Sequence, residues 1–184
     1  MIANISISRG PFVQPILKVF FDVILLRKGP EDIPKSVLLL MMATASAVVV
    51  NMLFGAMVET AYETNFSLEF ATELIKIASY IIVLLMFGLM SRLMQTMTAI
   101  IGCNAILGIV SIAVLMLSQQ FNIAELDGIL AWLVIFWLIL VEGHIISRAV
   151  KLHLITGIAT AVVIFILQIG FYYSFVELPE GAVG

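Results

Sequence analysis

Five stretches of this chain read as helices that cross a bilayer, which takes about 20 residues, and nothing else constrains its fold as tightly. Backbone polar groups in lipid must bond within their own segment, so such stretches are expected to be helices. The chain is 62% hydrophobic and only 11% charged. A soluble domain averages about 45–50% apolar and about 25% charged. A domain of 184 residues cannot hide that much apolar surface in one core. The expected class is therefore all-α, a polytopic membrane helical bundle with five transmembrane helices. A single cysteine, Cys103, excludes an intrachain disulfide and a cysteine-based metal cluster. The formal charge of −3 gives no case for nucleic acid.

Residues 12–26 read as a short amphipathic helix, with Gln14, Lys18 and Asp22 four apart in one narrow polar stripe. Arg27-Lys28-Gly29-Pro30 stops it. This helix is expected to lie in the interface, with Lys18, Arg27 and Lys28 at the membrane surface, or to pack on the bundle's cytoplasmic end. The spans follow at about Ser36–Val58, Leu74–Ser91, Ala99–Leu117, the stretch after Gly128, and Leu154–Phe175. Glu59 to Glu73 reads as an acidic loop, and a short loop holds Glu125 and Asp127. Ala43 with Ala47, and Gly157 with Ala161, stand four apart and offer faces where helices can approach closely. Asn104, Gly108 and Ser111 share one face of the third span. The chain thus divides into a cytoplasmic N-terminal segment over 1–35, a five-helix domain over 36–176 and a periplasmic tail over 177–184. The first span is expected to act as the insertion signal, because no signal-peptide pattern opens the sequence.

The basic residues set the orientation. Arg9, Lys18, Arg27, Lys28 and Lys35 precede the first span, Arg92 follows the second, and Arg148 and Lys151 follow the fourth. The alternate connections carry only acids. Lys and Arg collect on the cytoplasmic side, so the N-terminus is expected inside and the C-terminus outside. Lys76 departs from this alternation and is expected to snorkel from a helix end.

The fourth span is the most unusual. The run from Ile129 to Val141 is too short to cross, so Glu142, Gly143 and His144 must enter with it. Ionisable groups at that depth face a partner or a cavity. His144, Arg148 and Lys151 fall on one helical face, while Glu142 points about 200° from His144. Glu142 therefore needs a partner on another helix, and Arg92 is the candidate at that level. A structural ion pair is the preferred reading. A proton-coupled or substrate-contacting carboxylate is the functional one, and a docking surface for a partner protein or a lipid headgroup is the third. Glu142, His144, Arg148, Arg92 and Asn104 make up the candidate polar cluster.

Enzyme signatures are missing from the sequence. It contains no H-E-x-x-H, no P-loop, no G-x-G-x-x-G and no nucleophile elbow near either histidine. No enzyme, metal or cofactor is expected.

Leu25-Leu26-Arg27-Lys28-Gly29-Pro30 before the first span, and Ser147-Arg148-Ala149 after the fourth, resemble the Yip1 family. So does the arrangement of five compact spans behind a cytoplasmic segment. Of the Asp-Leu-Tyr-Gly-Pro-like stretch of eukaryotic members, Gly29-Pro30 is present. The resemblance implies the small bacterial branch, whose members are non-enzymatic inner-membrane proteins, and it supplies no catalytic residue. The expected function is a non-enzymatic scaffold or interaction partner in a bacterial inner membrane. Its expected partners are the bilayer and a membrane protein or a second copy of the chain, with no nucleic acid and no small-molecule substrate. The alternative is a small transporter, or the membrane subunit of one, using Glu142 and Asn104. An intramembrane enzyme comes third.

Overall fold

The computed structural model describes residues 13–58, 66–121 and 124–175. Within them the chain forms six α-helices and no strand: α1 (Val13–Ile24), α2 (Val37–Val58), α3 (Phe66–Met86), α4 (Leu93–Phe121), α5 (Ala124–Val150) and α6 (Leu154–Phe175). Short 3-10 turns occupy Pro30–Asp32 and Met90–Arg92. Arg9, the segment 59–65 and the tail 177–184 lie outside the described residues.

Three helices end alike. At the end of α1, Arg27 N–H donates to Asp22 O and Leu26 N–H to Val23 O, with Leu26 left-handed at φ 59°. Leu89 N–H reaches Leu84 O after α3, with Gly88 at φ 66°. Leu152 N–H reaches Ser147 O after α5, with Lys151 at φ 59°. Each pattern satisfies carbonyls that a helix end would otherwise leave bare. Leu26 recovers part of its strain by packing on the core. At Gly88 a Cβ would meet open space, so a side chain there would cost backbone strain alone. Gly88→Ala is expected to destabilise the purified protein by about 1 kcal/mol, read from thermal unfolding in detergent. Inside the helices, Thr44, Ser46, Thr72, Thr98 and Ser174 donate their hydroxyls to the carbonyl four residues back. That leaves no hydroxyl of theirs to be stripped bare in an apolar surround.

Two expected loops are helical. Residues 66–73 form the first turns of α3, and Glu125 to Asp127 lie within the start of α5. Acids near a helix N-terminus complement its dipole, so their density there marks a helix start as well as a loop. In α3 the helix also gains the Glu73–Lys76 pair at 2.8 Å.

Helix α4 is the central element, with α2 on one flank and α5 on the other; α6 packs on α5, and α3 on α6. The α5–α6 crossing is close because Gly143 and Gly157 face each other. A Cβ on Gly143 would sit 2.6 Å from the Ile158 Cα, and one on Gly157 would strike the Gly143 carbonyl. Gly108 gives Val50 of α2 its seat in the same way. Buried side chains come from every helix, among them Phe20, Val50, Leu84, Ile100, Cys103, Ile145 and Ile164.

The outer surface is as apolar as the interior. Trp132, Phe136 and Ile155 are exposed, the last by 81%. Patches that size on a monomer mean that something apolar covers them. Four helical segments are long and apolar enough to cross a membrane: Val37–Met57, Met90–Ser118, Gly128–Val150 and Leu154–Phe175. Helix α3 carries Glu69, Glu73 and Lys76 and does not reach that apolarity.

Helix α1 lies against α4 and α5, with the Phe20 ring over Gly102 and with Val23 and Ile24 buried. Lys18 stays exposed, and so does the apolar stripe Leu17, Phe21 and Leu25. The following turn is pinned to α4 by Gln95, which donates to Ile33 O at 2.7 Å.

Candidate polar site

Glu142 sits about two-thirds of the way along α5, with 3% of its surface exposed. Both carboxylate oxygens are used. Tyr80 of α3 donates its hydroxyl to Oε2 at 2.7 Å, and Asn104 of α4 donates its amide to Oε1 at 2.8 Å. Lys76, one turn before Tyr80, brings its ammonium to 3.8 Å from Oε1 and 2.8 Å from Glu73. The lysine therefore stands between two carboxylates, and its charge offsets that of a buried glutamate. Burying an unpaired charge is prohibitive, whereas a paired and hydrogen-bonded one is tolerable.

This arrangement is a clasp. Helix α3 packs chiefly on α6, and its link to α5 runs through the side chains of Lys76 and Tyr80. Thr72, Lys76, Tyr80 and Leu84 are all buried and recur every four residues, so they form the inward stripe of α3. One group is left over. Asn104 Oδ1 is buried and has no hydrogen-bond partner among the described residues.

A second polar group lies at the end of the bundle where α4 begins and α5 stops. Arg92 donates to Ala149 O at 3.1 Å, neutralising a free carbonyl of the α5 terminus. Arg148 pairs with Glu31 at 2.6 Å. His144 Nε2 lies 2.9 Å from Lys28 O. A carbonyl can only accept, so this nitrogen carries the proton. Lys28 in turn pairs with Asp22 at 3.2 Å. His144 and Arg148 thus share one face, as expected, and use it to hold the turn between α1 and α2. A cavity of about 480 Å³ opens here, lined by Glu31, Arg92, Ser147, Arg148, Lys151 and Leu152.

Of the expected cluster, the structure joins Asn104 to Glu142 and places the rest elsewhere. Arg92 does not pair with Glu142. Its guanidinium is held at the α5 terminus, and Glu142 lies seven residues inside Ala149, about 10 Å along the axis. Lys76 does not snorkel. With α3 beginning at Phe66, Lys76 is ten residues in, about 15 Å from the helix start, and it turns inward. Lys151 lies beyond the last residue of α5, so it leaves the helical face of His144 and Arg148. The missed partners were Lys76 and Tyr80. The available signal was the charge of Lys76, which has only Thr72, Glu73, Ser79 and Tyr80 as polar neighbours in its run.

Comparison with protein-family models, with characterised proteins and with solved structures gives no match for this chain.

Proposed function

We propose that the chain is a five-span inner-membrane protein of bacterial type, N-terminus inside, that acts without catalysis as a scaffold or interaction partner. The Yip1-like turn at Arg27–Pro30 and the alternation of basic and acidic connections support this placement. Helix α3 supplies the fifth span. Its Lys76 and Tyr80 turn inward to Glu142, while Phe70, Leu74, Ile82 and Leu85 face outward. Charge inside and apolar groups outside suit a helix seated against its neighbours in lipid. Helix α1 then lies along the inner surface, its Leu17, Phe21 and Leu25 stripe toward the acyl chains and Lys18 toward the headgroups.

The observation that carries the non-catalytic reading is the engagement of Glu142 by side chains of α3 and α4. Both oxygens are bonded by protein groups, and the cavity at the basic end is not lined by Glu142, Tyr80 or Asn104. A carboxylate held by donors from two other helices ties those helices to α5. The transporter reading keeps one observation in its favour, the unpartnered Asn104 Oδ1, which a passing ligand could engage.

Cross-linking in membranes, followed by purification and mass spectrometry, separates the two. A stoichiometric membrane-protein partner or a second copy is the expected result. A partnerless monomer that drives solute uptake, lost in Glu142→Gln at normal abundance, would establish the transporter instead.

A further inference from the structure

We infer that the cavity at the basic end binds the phosphate of an anionic membrane lipid, with Arg92, Arg148 and Lys151 as its cationic walls. The inference rests on the membrane placement proposed above. Three cations and a single carboxylate, Glu31, line this cavity, so two positive charges face it without compensation. The α5 terminus accounts for part of that excess, since Arg92 donates to Ala149 O. It does not account for Lys151. That side chain has no hydrogen bond or ion pair among the described residues, and it sits in a left-handed conformation that favours glycine. Lys151 is thus a cation lining the cavity with no anion paired to it among the described residues.

The carboxylate of Glu31 marks where an anion is held. It reaches Arg148 from the turn at Pro30–Asp32 and occupies that guanidinium in the absence of another anion. The nearby acids are otherwise engaged: Asp32 accepts from Gly29 N–H at 3.1 Å, and Asp22 pairs with Lys28. A phosphate would share Arg148 with Glu31 or displace it, and guanidinium matches phosphate geometry as well as carboxylate.

The apolar rim points to a lipid and away from a free ion. Leu152 lines the cavity, and beyond the exposed His153 the apolar Leu154 and Ile155 are exposed at the start of α6. A molecule with its phosphate among the three cations would lay acyl chains along that surface. A volume of about 480 Å³ admits a glycerophosphate headgroup.

Native mass spectrometry of the detergent-purified full chain tests this, with dioleoyl phosphatidylglycerol and dioleoyl phosphatidylcholine as the probes. The chain is expected to retain phosphatidylglycerol preferentially. Lys151→Gln should weaken it about fivefold, the share of one cation near an anionic surface. Glu31→Gln should strengthen it, because the competing carboxylate is gone; a merely structural role predicts no gain. Equal retention of the two lipids, or no change in Lys151→Gln, would overturn the assignment. So would displacement of phosphatidylglycerol by millimolar inorganic phosphate, which would make the site one for a free anion. The membrane placement fails independently, in the orientation of reporter fusions.

Discussion

Glu142→Ala is expected to lower the stability of the bundle by about 3 kcal/mol, the scale for removing one partner of a buried ion pair. Three groups lose their acceptor at once. The Tyr80 hydroxyl and the Asn104 amide are left without their partner in the core, and Lys76 keeps only Glu73. Removing a single donor should cost less. Tyr80→Phe and Asn104→Ala are each expected to cost about 1 kcal/mol, the range of interhelical hydrogen bonds in membranes. The decisive variant is double. Glu142→Leu with Lys76→Leu removes both charges and is expected to recover the share of the loss due to the uncompensated lysine, while Tyr80 and Asn104 stay without their acceptor. Reversible unfolding in mixed micelles measures all of these. If the Glu142 and Lys76 losses simply add, the two residues are not a unit and the clasp does not exist.

The second large effect is steric. Gly157→Leu is expected to cost about 3 kcal/mol or to abolish insertion of a folded bundle, because the obstacle is backbone that cannot rotate away. A Cβ at this position would overlap the Gly143 carbonyl and lie 2.6 Å from Ser147 Cβ. The contact with Ser147 brings the break close to Arg148 and His144, so the turn between α1 and α2 should loosen with it. Gly170→Leu serves as the control on the same helix, since a side chain there meets open space. Equal unfolding midpoints for the two variants would show that α5 and α6 do not cross at Gly143–Gly157.

The sequence made the larger elements readable where one physical signal dominated. The span expected from about Ser36 is α2, which begins at Val37, with Ser36 Oγ accepting from Leu39 N–H at 3.3 Å. The four-residue spacing of Gly157 and Ala161 does lie on the buried side of α6. Reading failed where a charge had two physical outcomes. Glu69 and Glu73 suggested a loop, yet acids are equally at home in the first turns of a helix. Shortening α3 in that way put Lys76 at a helix end, from which a lysine would reach water. Restoring the helix puts it deep, and the same side chain must then find an anion. Glu142 was correctly marked as needing a partner on another helix. Its partner was sought among arginines, because formal charge is visible in a sequence. Hydrogen bonding from a tyrosine and an asparagine depends on how helices face one another, and no spacing within one helix carries that.

The proposed function places α3 in the membrane as a fifth span with Lys76 turned inward to Glu142. An odd number of spans puts the two ends of the chain on opposite sides of the membrane. Alkaline phosphatase and green fluorescent protein, each fused after Gly184, measure this directly. An active phosphatase and a dark fluorescent fusion are expected, with the C-terminus outside. A fluorescent fusion with inactive phosphatase would place the C-terminus in the cytoplasm and contradict the proposed fifth span.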